Sequence, residues 1–193
     1  TLNTNSKITA NDCISIFLIT LIYTAAAFFN LGNTHAPQSG ICLDSETFLV
    51  DFEENTDISM AAFYLGEDEL NEDNTLTLDF FDDEKNPVYK IEFNSGDVFC
   101  WNYIDEINIS ARYVQIVANS SVYINEAAFF DMYGNAVIPN KPSPLFDEQE
   151  KVPEYQSYKN GTYFDEIYHA RTAYEFLNGG DIYEWTHPPL GKL

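Results

Sequence analysis

Residues 13–31 read CISIFLITLIYTAAAFFNL, and no charged side chain falls between Asp12 and His35. About 20 apolar residues suffice to cross the ~30 Å hydrocarbon layer as a helix. The run therefore predicts a transmembrane helix over 13–31, with residues 1–12 a short stub before it. Tyr23, Phe28 and Phe29 lie toward its end, where aromatic rings favour the membrane interface. A buried core helix and a signal peptide are the alternatives. A signal peptide would carry a basic start, and here only Lys7 precedes the run. After Gly32, Pro37 and Gly40 the period changes. Short apolar runs at 48–52, 61–65, 76–81, 88–93, 98–104, 113–118 and 122–130 are divided by turn signals such as Asn86-Pro87, Asn94-Ser95-Gly96 and Tyr133-Gly134-Asn135. Val88-Tyr89-Lys90-Ile91-Glu92-Phe93 alternates with period two. This pattern predicts an antiparallel β-sandwich of about eight strands over 42–138. Pro139, Pro142, Pro144 and Pro153 then predict an extended linker over 139–161. From Tyr163 to Asn178 neither Gly nor Pro occurs, with Thr162 placed to cap and Gly179-Gly180 to stop, so an amphipathic helix is expected. The fold class is mainly β with helices.

Charge narrows the function. The 193 residues hold 31 acidic and 9 basic side chains, a formal net charge of −22. Phosphate contacts need Lys and Arg, so DNA and RNA are excluded as partners. With 15 Phe and 13 Tyr the chain is too aromatic for a disordered acidic tail. Lys7 before the apolar run and no further Lys or Arg until Lys85 place the N-terminus in the cytoplasm and the remainder outside, in a plasma-membrane protein. Of three cysteines, Cys13 lies in the apolar run, and Cys42 and Cys100 are open either to pairing in an oxidising compartment or to staying as thiols. Asp82-Asp83-Glu84 reads as a solvated turn or a cation site. No cofactor or metal site is expected, a divalent cation being the open alternative.

The chemistry concentrates in residues 162–193. Asp165-Glu166 sits in the first turn of the expected helix, where the dipole and unpaired N–H groups favour an ionised carboxylate, the form a general base needs. Taken alone, such a pair is ordinary helix capping. His169 lies four residues beyond Asp165 on the same face, and Arg171 lies four before Glu175. His187 and Lys192 flank the rigid Pro188-Pro189-Leu190-Gly191.

Phe164-Asp165-Glu166, a helix, and then His187-Pro188-Pro189-Leu190-Gly191-Lys192, all behind an apolar span, resemble the first extracytoplasmic loop of the protein O-mannosyltransferase family. These are membrane enzymes of GT-C architecture that use dolichyl- or polyprenyl-phosphate sugars. The resemblance covers the span and the C-terminal segment, and the sandwich between them is an insertion. It implies transfer of a sugar, mannose by the family pattern, from a polyprenyl-phosphate-linked donor to a protein Ser or Thr hydroxyl, with inversion. Asp165 would be the general base and Glu166 its orienting partner, with His169, Arg171, His187 and Lys192 binding substrate. The chain begins at Thr1 and stops just behind the motif, which leads us to expect a piece that is inactive alone. Residues 111–116 and 124–131 resemble the late strands of a discoidin-like, galactose-binding-like jelly roll. A membrane-anchored module that binds carbohydrate or protein without catalysis is the alternative reading.

Overall fold

The computed structural model describes residues 9–29, 36–68, 75–94, 98–154, 157–162 and 166–179. The chain divides into two compact units, Thr1–Asn33 and Thr34–Leu193. The first holds helix α1, Ala10–Phe28. Its start is set by a capping box: the Thr9 N–H donates to the Asp12 carboxylate at 2.8 Å, and the Asp12 N–H returns to the Thr9 hydroxyl at 3.3 Å. The helix thus begins at Ala10 rather than at Cys13, because the cap lies outside the apolar run. Its side chains are exposed along its whole length. It is long and apolar enough to cross a membrane.

The second unit is an antiparallel β-sandwich. Its strands are β1 (Ile41–Asp44), β2 (Thr47–Ile58), β3 (Met60–Asp68), β4 (Thr75–Phe81), β5 (Pro87–Asn94), β6 (Cys100–Ile104), β7 (Ile109–Ala118), β8 (Ser121–Phe130) and β9 (Ala136–Val137). One sheet runs β1-β8-β3-β6, with β9 also on β8; the other runs β2-β7-β4-β5. Strand β1 pairs with β8, β2 with β7, β3 with β6 and β4 with β5. The chain is thus a long hairpin wound over itself, which is jelly-roll topology. The alternation seen in the sequence explains the layers. In β4, Leu76, Leu78 and Phe80 are fully buried, while Thr75, Thr77, Asp79 and Phe81 face outward half-exposed. Phe129 meets Phe52 and Phe63 edge-on, at 5.5 and 6.2 Å between ring centres, and knits the two sheets.

The two outer faces differ. On the β1-β8-β3-β6 sheet, Ala62, Tyr64, Trp101 and Ala128 are buried beneath Ala36 and Val152. The covering segment falls within the expected linker. It is free of strands beyond β9, but it packs: Leu145 and Phe146 enter the core between the sheets, and the Ala127 N–H donates to the Leu145 carbonyl at 2.8 Å. A 3-10 turn, Gln149–Lys151, follows. On the β2-β7-β4-β5 sheet the outward side chains stay half-buried or exposed. Cys42 and Cys100 lie on the opposite edge strands β1 and β6 of one sheet. Three inter-strand spacings amount to roughly 14 Å, beyond the reach of a disulfide.

Candidate functional site

Of the residues singled out in the sequence, Asp165, His187 and Lys192 lie outside the described residues. Helix α2, Glu166–Asn178, carries the others, with exposed Glu166 in its first turn. Thr162, expected as the cap, donates its hydroxyl to the Val98 carbonyl at 3.3 Å, which ties the approach to α2 onto the sandwich. The Arg171 guanidinium meets the Glu175 carboxylate at 3.0 Å, both largely shielded from water. Arg171 is therefore committed to its own helix, which weakens the case for it as the cation that meets a substrate phosphate. His169 is half-buried on the flank that also carries buried Thr172 and Glu175. Phe176, on the same flank as His169 and Thr172, is 40% exposed, and Leu177, on the opposite flank, is 87% exposed. Tyr174 stacks obliquely on Phe99, with ring centres 5.7 Å apart.

Two further clusters went unnoticed in the sequence. The first centres on Glu126, buried on the outward side of β8 beneath the covering segment. A bulge at Asn125, between the pairs Leu65–Ile124 and Tyr64–Glu126, turns the side chain that way. Its carboxyl accepts from the Glu148 N–H at 3.1 Å and from the Gln149 amide. Burial pushes it up to about 7, although the Gln149 bond opposes this. Glu148 behaves oppositely. Burial pushes its carboxyl up too, but the Lys151 ammonium and donors from Ser39 and Gln38 outweigh that and hold it at about 2. Asp147 accepts the Ser39 hydroxyl at 2.7 Å. The three carboxylates approach within 4.8 Å of one another. Internal donors, an ammonium among them, fill the cluster, and it acts as a clasp between residues 38–39, β8 and residues 147–151. The Asp82 carboxylate likewise serves its own turn. It accepts the Glu84 and Asn86 N–H groups at 3.0 and 2.8 Å, and the Asn86 amide beside it lowers its pKa.

The second cluster lies on the open face of the β2-β7-β4-β5 sheet. Leu49, Phe81, Lys85, Tyr113 and Gln115 line a shallow cavity of about 160 Å³ that opens to solvent. Strand register brings them together: Gln115 is opposite Leu49, and Tyr113 is opposite Phe81. The Arg112 guanidinium and the Lys85 ammonium lie 4.9 and 5.5 Å from the centre of the Tyr113 ring. Asp51 pairs with Arg112 at 3.2 Å and Asp79 with Lys90 at 3.1 Å. Among the described residues, the Lys85 ammonium has no carboxylate partner and the Tyr113 hydroxyl and Gln115 amide make no hydrogen bond. Only the alternation of β7 hinted at this site, and it said nothing of the turn that brings in Lys85.

No family model matches the chain, nor does any curated protein. Among solved structures it is similar to the lectin domain of lectinolysin complexed with Lewis B antigen, at 18% identity and a TM-score of 0.39, over 47% of this chain and 70% of that one. A mutant of that domain matches at 18% and 0.39, over 47% and 69%. A Streptococcus pneumoniae fucose binding module matches at 17% and 0.38, over 46% and 67%. Similarities of this depth carry no residue roles to this chain.

Proposed function

We propose that this chain handles carbohydrate at a membrane surface: a sandwich that recognises glycan, set in the first extracytoplasmic loop of a glycosyltransferase that draws its sugar from a polyprenyl-phosphate carrier. The observation that carries the reading is the order of parts. An apolar helix of spanning length comes first, the Asp165-Glu166 pair comes later in the sequence, and α2 begins at Glu166. The His187-Pro188-Pro189-Leu190-Gly191-Lys192 segment follows.

In this reading Asp165 takes the proton of an acceptor hydroxyl. The oxygen bonds to the sugar's anomeric carbon as the bond to the carrier phosphate breaks, with inversion. Glu166 and the His187 segment position the acceptor. Lys192 is the cation that would meet the departing phosphate, while Arg171, held by Glu175, steadies the helix. Loss of a general base costs roughly 10²–10⁴-fold in rate. Asp165→Ala in the full-length enzyme should therefore lower turnover from a lipid-linked sugar by that order, with donor binding kept. Undiminished turnover would remove Asp165 from the role.

The second reading is a membrane-anchored binding module without catalysis. What favours it is the cavity on the uncovered sheet face, which needs nothing from residues 162–193. Transfer activity in the full-length protein decides between the two.

A further inference from the structure

The open face of the β2-β7-β4-β5 sheet has the makings of a binding site separate from any catalytic loop. One outer face of the sandwich is partly covered by Ala36 and Val152, while the outward side chains of the other are half-buried or exposed. The second face holds the cavity lined by Leu49, Phe81, Lys85, Tyr113 and Gln115. At about 160 Å³ it is smaller than the ~300–1,000 Å³ usual for ligand clefts, which limits its occupant to a single small ring. Its lining is amphipathic: an aliphatic and an aromatic side chain beside an ammonium, a phenol hydroxyl and an amide whose hydrogen-bonding capacity is unspent among the described residues.

The turn that supplies Lys85 adds a second argument. Asp82-Asp83-Glu84-Lys85-Asn86 and Asp131-Met132-Tyr133-Gly134-Asn135 are built alike. In each, the first Asp accepts two backbone N–H groups and the amide of the closing Asn. The fourth residue is left-handed in both, with φ of 80° at Gly134 and 65° at Lys85. Glycine adopts that backbone without penalty and lysine does not. A lysine thus stands where the sister turn has glycine, and its ammonium lies 5.5 Å from the Tyr113 ring at the cavity.

We infer that this cavity is a subsite for one pyranose unit of an uncharged glycan, its C–H face on Leu49 and Phe81 and its hydroxyls on Lys85, Tyr113 and Gln115. The chemistry selects the ligand. A sugar ring offers an apolar face rimmed by hydroxyls, which matches the lining. A net charge of −22 repels polyanions, and two carboxylates of the same sheet, Asp51 and Asp79, are already paired with Arg112 and Lys90. The inference deepens the carbohydrate-handling reading above and rests on it.

The test uses the full chain, ¹⁵N-labelled, in a detergent without a sugar headgroup, titrated with the methyl glycosides of mannose, galactose, glucose and fucose. At least one should shift the amide signals of Leu49, Tyr113 and Gln115 saturably. Gln115→Ala should weaken that binding about five-fold, the worth of one hydrogen bond. Lys85→Gly should weaken it similarly while raising the melting temperature by about 2 °C, since the strain is released. Binding that perturbs another part of the sandwich, or that both variants leave intact, overturns the subsite and leaves the carbohydrate reading standing. Saturable binding of none of the four overturns both.

Discussion

Glu126 and Glu148 are near neighbours with opposite pulls on stability. Glu126 titrates at about 7 in the folded protein against an ordinary 4.5, because its site is dry. Between pH 4.5 and 7 the folded state therefore holds a proton that the unfolded chain has lost, and stability falls as pH rises through that window. Glu148, held at about 2, adds stability that is fully present above pH 4.5 and lost as pH falls toward 2. At one pKa unit per ~1.4 kcal/mol, Glu126 costs about 3 kcal/mol once it is fully ionised. Glu126→Gln removes the titration and keeps the shape. Urea midpoints measured across pH 4.5–7 should fall for the wild type and fall distinctly less for Glu126→Gln. Parallel slopes would show that the burial of Glu126 does not govern the clasp.

The clasp matters because it holds an element that the periodicity in the sequence could not show. Strands β2 to β5, β7 and β8 each contain one of the apolar runs read from the sequence, and β6 covers residues 100–104 of the run 98–104; in β4 the burial alternates with period two. Strand β1 has four residues and β9 two, too few for a period to register. The covering segment was read as a linker on the strength of its prolines. Only Leu145 and Phe146 in it are apolar neighbours that reach the core, and their partners Ala127 and Phe129 lie far back in the chain. The same limit hid the cavity, since Lys85 comes to Tyr113 through register and a turn. The Asp165-Glu166 pair and the His187 segment could be singled out in the sequence alone, because a motif is read from residue type and order, and Asp165 and the His187 segment lie outside the described residues. The stretch before β1 also lies close on β8, since a Cβ at Gly40 would come within 2.5 Å of the Ile124 carbonyl oxygen. Leu145 is fully buried, so Leu145→Ala should cost about 2–4 kcal/mol in chemical denaturation. A cost below about 1 kcal/mol would mean that the segment lies on the sandwich without being part of it.

Across the whole molecule, charge and ordering pull apart. The core between the two sheets lies in the unit Thr34–Leu193. Four ion pairs occur among the described residues: Lys90 with Asp79, Arg112 with Asp51, Lys151 with Glu148 and Arg171 with Glu175. Thirty-one acidic side chains against nine basic ones leave most carboxylates facing only others of their kind. Exposed pairs such as Lys90–Asp79 contribute at most ~1 kcal/mol and are weakened by salt. The long-range repulsion within a chain of net charge −22 is weakened by salt too, and it opposes the compact state. The two effects have opposite signs, and the excess of unpaired carboxylates decides between them. Raising NaCl to ~0.5 M shortens the screening length to roughly 4 Å, within which the two shielded pairs, Lys151–Glu148 and Arg171–Glu175, still act. The melting temperature should therefore rise with salt at pH 7 and rise less at pH 4.5, where many carboxylates have taken up protons. A melting temperature that falls with salt at pH 7 would show that the paired cations, few as they are, outweigh the repulsion.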